Sequence, residues 1–295
     1  MSNTVLILGA SGRFGRHMSD AFEAADWQIR TFDRTTDSLE NAAKDAHVIV
    51  NGWNPPYTAW AKDIPHLTDQ VITAARAANA TVILPGNVYV FGKVSGPILT
   101  TDTPHNAQNP LGHIRVRMEA AYRQSGVRTI LIRAGDFLDT APSGNWFDKI
   151  IAAKAARGRI VSPGTPSVPH AWAYLPDLSR VAVALATERD ALSEFEDIPF
   201  PGYTLSIDQL AALITQASGR PQRVEQMNWL PLRLASPFWP MGRRLLEMRY
   251  LWSMPHTLDD TRLKALLPDF KSTGPLAAIT QAIAHLDLHP DQPVA

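Results

Sequence analysis

Val5-Leu6-Ile7-Leu8-Gly9-Ala10-Ser11-Gly12-Arg13-Phe14-Gly15 decides how the rest of the chain is read. An apolar run of strand length opens into a Gly-x-x-Gly-x-x-Gly turn, after which Phe14, Met18, Ala21, Phe22 and Ala25 recur at helical spacing. The pattern predicts strand, tight turn and helix. Glycine is needed there on steric grounds: the backbone turns sharply, a pyrophosphate approaches without a Cβ in its way, and the helix sits close against the strand. The first N–H groups of the helix and the positive end of its dipole then face the phosphates. A second strand, Gln28-Ile29-Arg30-Thr31-Phe32, ends in Asp33, the spacing at which an acid meets the ribose of a dinucleotide. The alternative is an ordinary strand-turn-helix that binds nothing.

The 295 residues suffice for one large α/β domain or a domain with a smaller lobe, and a hydrophobic content of 45% supplies a sizeable core. Lysine plus arginine, 28 residues, balance 28 acidic ones. No overall field therefore draws the chain to nucleic acid or to a membrane, and small molecules are the expected partners. The absence of cysteine excludes a disulfide framework, a thiolate metal site and a cysteine nucleophile, and agrees with a cytoplasmic location. Met1-Ser2-Asn3-Thr4 leads straight into the first strand, so no signal peptide is expected. No uncharged apolar stretch approaches the roughly 20 residues that cross a bilayer. The histidines are scattered without His-Glu-x-x-His, and neither Gly-x-Ser-x-Gly nor the phosphate-loop Gly-Lys-Thr/Ser occurs. No metal site, α/β-hydrolase elbow or phosphate loop is expected.

A short helical piece is predicted from about Ser38 to Lys44, and His47-Val48-Ile49-Val50-Asn51 reads as a buried parallel strand. Two prolines forbid helix in the loop Gly52-Trp53-Asn54-Pro55-Pro56-Tyr57. A long helix from about Ala59 to Ala78 precedes a strand, Thr81 to Leu84, that continues irregularly through Asn87-Val88-Tyr89-Val90-Phe91-Gly92. A helix from about Leu111 to Gln124 and a strand over Arg128 to Arg133 complete an alternation that means a parallel sheet with helices on both faces. Beyond Gly135 the rhythm breaks. Helices are predicted around Trp146 to Gly158, Asp177 to Glu188 and Ser206 to Ala217, separated by short strands and proline-rich turns. Trp229, Phe238, Trp239, Tyr250 and Trp252 are assigned to core and lobe packing, because an interfacial membrane helix needs a cleaner apolar face and fewer prolines. Arg243, Arg244 and Arg249 are assigned to a solvated helix face, the alternative being a site for a substrate phosphate or carboxylate.

The turn from Gly9 to Gly15, Asp33, the segment Asn87 to Gly92 and the stretch Asn109-Pro110-Leu111-Gly112-His113-Ile114-Arg115 together resemble the extended short-chain dehydrogenase/reductases, the NAD-dependent epimerase/dehydratase group. Ile132-Arg133-Ala134-Gly135-Asp136-Phe137 and Ala173-Tyr174-Leu175-Pro176-Asp177-Leu178 are similar to that group's later landmarks. The resemblance covers most of the chain, firmly to about Asp177 and weakly beyond. It implies an α/β fold: a Rossmann-type parallel sheet with helices on both faces and a small C-terminal substrate lobe. Residues 1–175 form the NAD(P)-binding domain, with lobe segments beginning near 136, and residues 176–295 are mixed, a closing Rossmann helix plus the lobe. Oxidoreductase or epimerase chemistry on a nucleotide sugar or a similar small molecule is implied with them. Cofactor contacts fall on Gly9, Ser11, Gly12, Arg13, Phe14, Gly15, Asp33, Arg34, Asn51, Gly52, Trp53 and Arg115. Asp33 would accept both ribose hydroxyls of NAD and repel a 2′-phosphate, whereas Arg34 and Arg13 would attract it. NAD is the expected cofactor and NADP the alternative.

Three residues at the group's catalytic positions depart from its pattern. Its Ser or Thr position holds Asn87, its tyrosine position Leu111 and its lysine position Arg115. Asn87 keeps hydrogen-bonding capacity and Arg115 keeps a charge for ribose or phosphate, but Leu111 cannot exchange a proton, so the usual dyad is excluded. His113 lies about 200° around the helix from Leu111 and faces away. Tyr89 shares a face with Asn87 if that segment is extended, which makes Tyr89 the expected proton donor and Asn87 its companion; the alternative is an aromatic wedge over the cofactor. Tyr57, Asp136 and His170 are expected at the substrate, against the alternatives that Tyr57 packs with Trp53 and Trp60 and that His170 is structural. Thr35 to Asp45 is too short for the strand and helix that the group inserts there. That strand is an edge strand, so the fold survives with a shallower adenine pocket. Two functions stay open: an enzyme with relocated acid/base groups, or a NAD(P)-binding sensor or regulatory protein without catalysis. Monomer and homodimer both suit the alanine-rich helices that begin near Ala59 and Leu111.

Overall fold

Runs of Val, Ile and Leu with almost no solvent exposure make the central strands β1 (Thr4–Leu8), β3 (Val48–Asn51), β4 (Thr81–Gly86) and β6 (Thr129–Arg133). Burial on both faces is what a continuous apolar run means in a parallel sheet. With β2 (Gln28–Thr31) and β10 (Phe195–Pro199) they form a parallel six-stranded sheet in the order β10-β6-β4-β3-β1-β2. The computed structural model describes residues 3–93, 95–286 and 288, so Met1, Ser2 and the end of the 176–295 portion lie outside the described residues.

Helices α1 (Arg13–Glu23), α5 (Leu175–Thr187) and α9 (Thr261–Leu266) cover one face through Phe14, Met18, Leu178, Leu185 and Leu263. The other face carries α2 (Leu39–Ala43), α3 (Trp60–Ala78) and α4 (Pro110–Gln124). A third core belongs to the lobe. There α6 (Ile207–Ser218) and α10 (Pro275–Ile283) pack on a small sheet of β7 (Asp136–Leu138), β9 (His170–Tyr174) and β11 (Tyr203–Leu205). The pairs β8 (Arg159–Ser162) with β12 (Arg223–Gln226) and β5 (Ile98–Leu99) with β13 (Thr257–Leu258), and the hairpin α7 (Leu230–Ala235) and α8 (Pro240–Glu247), complete it. Ser206 shows why α6 starts where it does: its hydroxyl accepts from Gln209 N while the Gln209 side chain accepts from Ser206 N, a reciprocal cap.

The shortened stretch after Arg34 leaves β2 at the sheet edge, with α2 alone bridging to β3. Arg30 donates to Ala42 O at 2.8 Å and Lys44 O at 2.6 Å, which holds the end of α2 against the edge.

Several expectations need correction. Val88–Phe91 is a 3₁₀ turn, capped by the Asn87 side chain, and not an extended continuation of β4. The helix expected from Trp146 to Gly158 is broken into a π-helical turn, Phe147–Ile151, and a 3₁₀ turn, Ala155–Arg157, that ends at Gly158 with φ +69°. Trp229 and Trp252 are buried as packing residues, but Phe238 and Trp239 project outward at 92% and 46% exposure. The sixth sheet strand, β10, has the sequence Phe-Glu-Asp-Ile-Pro, whose two acids hide it from a search for apolar runs.

Candidate functional site

The glycine turn lies at the carboxyl end of β1, where the chain order reverses between β1 and β3 and an open α/β sheet leaves a crevice. Gly9 has φ +73°, a left-handed conformation that glycine adopts freely, and its carbonyl accepts from Gly12 N at 2.9 Å. A Cβ on Gly15 would stand 2.2 Å from Gly9 O, so only glycine lets α1 start this close to β1. Helix α1 has no side-chain cap and no acid in its first turn, which leaves its positive end open. Ser11 is exposed at this turn, whereas the Phe14 ring is buried in the core and offers only its backbone.

Side chains of the first turns of α1 tie it to the segment after β7. Arg13 donates to Ser143 O at 2.7 Å, and Asp139 accepts from Arg16 at 2.7 Å and pairs with His17 at 2.8 Å. Burial raises the Asp139 pKa, but hydrogen bonds from His17 and Ser143 and the charges of His17 and Arg16 outweigh it and bring it down to about 2.

Beside the cradle, the residues after β2 and β3 line a cleft of about 830 Å³ that includes Phe32, Arg34, Leu39, Trp53, Pro55 and His66. The Arg34 guanidinium lies 4.4 Å from the Trp53 ring, and Phe32 packs on the same indole at 5.7 Å. Asp33 is exposed, and hydrogen bonds from Thr35 N and Oγ1 lower its pKa. Asn51 is committed to the scaffold: it donates to Tyr122 Oη at 3.1 Å and accepts from Trp53 N at 3.2 Å. The turn it shapes brings Gly52 under the glycine loop, where a Cβ would stand 2.6 Å from Leu8 O.

At the end of β4 the Asn87 oxygen accepts from Tyr89 N at 3.0 Å. Since the segment is not extended, Tyr89 does not share a strand face with Asn87; its hydroxyl meets that of Tyr57 at 2.6 Å, both residues half-buried. Tyr57 also packs edge-on against Trp60 at 4.9 Å, one of the two tryptophans that its alternative reading named. Burial raises the pKa of both phenols, that of Tyr89 far above the usual value, with the charge of Asp136 adding to it. Two protonated hydroxyls sharing one hydrogen bond leave one O–H free to donate.

Arg133 braces this end of the sheet. Its buried guanidinium binds Glu119 at 2.8 Å, Asp197 at 2.6 Å and the Asn87 carbonyl at 2.7 Å. His105, Glu119 and Asp197 bring ligand-type atoms within 4.8 Å of one another, but the arginine already lies on both carboxylates.

Leu111 is fully buried on α4, and its N–H donates 2.7 Å to Glu247 from the lobe, which also accepts from Asn109 Nδ2 at 2.9 Å. Arg115 turns inward to donate to Pro85 O and leaves its Nε without a partner. His113 is exposed. Asp136, at the start of β7, pairs with His170 Nε2 at 2.7 Å. The His170 ring stacks on Trp252 at 4.4 Å and 6° and lies 4.4 Å from the His256 ring. Sequence reasoning missed Glu247, Trp252 and His256 as neighbours of the site, since only the tertiary fold carries the lobe back onto α4 and β9.

His256 has a pH consequence. Burial, then the neighbouring His170, pushes its pKa from the ordinary 6.5 down to about 3, against the pull of the Met254 carbonyl and Asp136. Below 6.5 the unfolded chain takes up a proton that the folded imidazole refuses, so acidification from 6.5 towards 3 removes stability at up to about 1.4 kcal/mol per pH unit. Denaturant titrations at several pH values are expected to show this slope, and a shallower one in His256→Gln.

No protein-family model and no curated protein matches the chain. Solved structures do match its coordinates. MoeE5 in complex with UDP-glucose and NAD superposes with a TM-score of 0.73 at 14% identity, over 96% of this chain and 98% of that one. The UDP-Glc/GlcNAc 4-epimerase from Campylobacter jejuni gives 0.72 at 14% identity over 96% and 98%. A dTDP-4-dehydrorhamnose reductase from Clostridium acetobutylicum gives 0.70 at 14% identity over 96% and 99%. The fold is that of the extended short-chain dehydrogenase/reductases. In a short-chain dehydrogenase/reductase fold, the glycine turn, the Trp53 cleft and the Tyr57–Tyr89 and Asp136–His170 pairs all fall along the carboxyl edge of the sheet. Among the described residues no helix is long and apolar enough to cross a membrane.

Proposed function

We propose that the chain binds a nicotinamide dinucleotide across the carboxyl ends of β1 and β3 and uses it in oxidoreductase or epimerase chemistry on a small hydroxyl or carbonyl compound, with nucleotide sugars as the substrate class. The observation that carries this reading is the bare cradle, in which Gly15 leaves no room for a Cβ and α1 presents an uncapped positive end. Its residues fit the group: backbone N–H groups of α1 take the pyrophosphate, and the Trp53 cleft takes the adenosine. Asp33, held ionised by Thr35, serves the ribose hydroxyls and favours NAD over NADP, while Arg34 is drawn onto Trp53. When bound, the cofactor supplies hydride exchange at C4 of its nicotinamide. In reduction the Tyr57–Tyr89 pair gives a proton to the substrate carbonyl oxygen, in oxidation the same pair takes the hydroxyl proton back, and Asp136, oriented by His170, is the polar group beside it. The neighbours whose names carry UDP-sugars support the substrate class.

A second reading, a dinucleotide-binding regulatory protein without turnover, is favoured by Leu111 in the core and Arg115 on Pro85 O. Incubation with NAD and a panel of nucleotide sugars separates the two. The enzyme reading predicts reduced nicotinamide or an epimerised sugar, formed about 100-fold more slowly by Tyr89→Phe with cofactor affinity unchanged. Intact cofactor binding with no conversion of any sugar would favour the second reading.

A further inference from the structure

Among the described residues the large hydrophobic side chains with high exposure are Ile98, Leu230, Leu234, Phe238 and Trp239, and four of these five sit on the α7–α8 hairpin. Phe238, at the turn, is 92% exposed. From Leu230 to Glu247, the span of the hairpin, the charged residues are Arg233, Arg243, Arg244 and Glu247. Arg244 pairs with Glu247 at 2.8 Å, whereas Arg233 and Arg243 are exposed and their side chains have no ionic or hydrogen-bond partner among the described residues. In a chain of zero net charge this is a local concentration of cations around an apolar tip.

The hairpin is built, not frayed. Trp239 packs over Gly242, where a Cβ would stand 2.8 Å from the indole, and Phe238 N and Trp239 N both donate to Ala235 O at 3.0 Å. Its helices, of 6 and 8 residues, are far too short to span a bilayer. They are suited to lying at its surface, with aromatic and leucine side chains in the acyl boundary and arginines at the headgroups.

We propose that the α7–α8 hairpin docks on an anionic lipid bilayer surface. Charge complementarity selects this occupant: a second copy would bring further arginines to Arg233 and Arg243, and the hairpin's one acid, Glu247, is already held by Arg244, Asn109 and the N–H of Leu111. Shape agrees, because a protruding Phe238 needs a preformed pocket in a protein partner but only a yielding surface in a lipid layer. The docked hairpin is rooted at the candidate site, since Glu247 at its end holds the N–H of Leu111.

Vesicle co-sedimentation of the full chain tests this. Binding is expected to phosphatidylcholine vesicles that contain phosphatidylglycerol and not to phosphatidylcholine alone, weakening with salt. Phe238→Ser is expected to lower the partition about tenfold, and Arg233→Gln with Arg243→Gln to remove the preference for anionic lipid. All three positions are exposed, so folding is untouched and circular dichroism verifies it. Absence of binding to either vesicle, or binding that Phe238→Ser leaves unchanged, overturns the proposal. So does a dimer that Phe238→Ser converts to monomer without any vesicle binding, which would assign the hairpin to a second copy.

Discussion

Gly15→Ala is expected to destabilise the protein by about 3 kcal/mol and to weaken dinucleotide binding about 100-fold, as read from denaturant midpoints and from titration of the folded fraction. The new methyl group would sit 2.2 Å from Gly9 O, 2.7 Å from Gly9 C and 2.9 Å from Ala10 Cα, all backbone atoms that cannot rotate away. Either α1 lifts off β1, opening the contacts of Phe14 and Met18, or the Gly9 turn deforms and its N–H groups lose their aim. Both routes damage fold and site together. Gly96→Ala is the control: nothing lies within 4 Å of its added Cβ, and no change is expected.

Arg133→Met is expected to cost about 3–5 kcal/mol, because it strands Glu119 and Asp197 as buried carboxylates without their partner. The guanidinium joins β6, β10, α4 and the turn at Asn87, so its loss also releases the segment that carries Tyr89. Adding Glu119→Gln and Asp197→Asn removes both stranded charges and is expected to restore most of the stability in urea unfolding. Failure of the triple variant to recover would mean that the arginine stabilises by packing alone.

The sheet was legible wherever its strands are apolar on both faces, because Val5 to Leu8, Val48 to Val50 and Ile130 to Ile132 leave no other way to bury such runs. The β10 strand escaped for the opposite reason: Glu196 is paired with Arg262 and Asp197 with Arg133, so its acids are satisfied by residues remote in sequence. The glycine cradle was legible because it is local, a matter of backbone and Cβ within seven residues. The contact of Tyr89 with Tyr57 was not legible, since the segment reads as extended and a side-chain cap at Asn87 makes it a 3₁₀ turn. Glu247, Trp252 and His256 carry no local signal. Their roles arise when the lobe folds back over α4 and β9, a contact of sequence separation 136 for Glu247 with Leu111.

Isothermal titration of the protein with NAD, NADH, NADP and NADPH reports whether the amino-terminal glycines hold a diphosphate on bare backbone. One-site binding is predicted, tighter for the NAD forms than for the NADP forms. No heat with any of the four at millimolar concentration would mean that the cradle holds no dinucleotide.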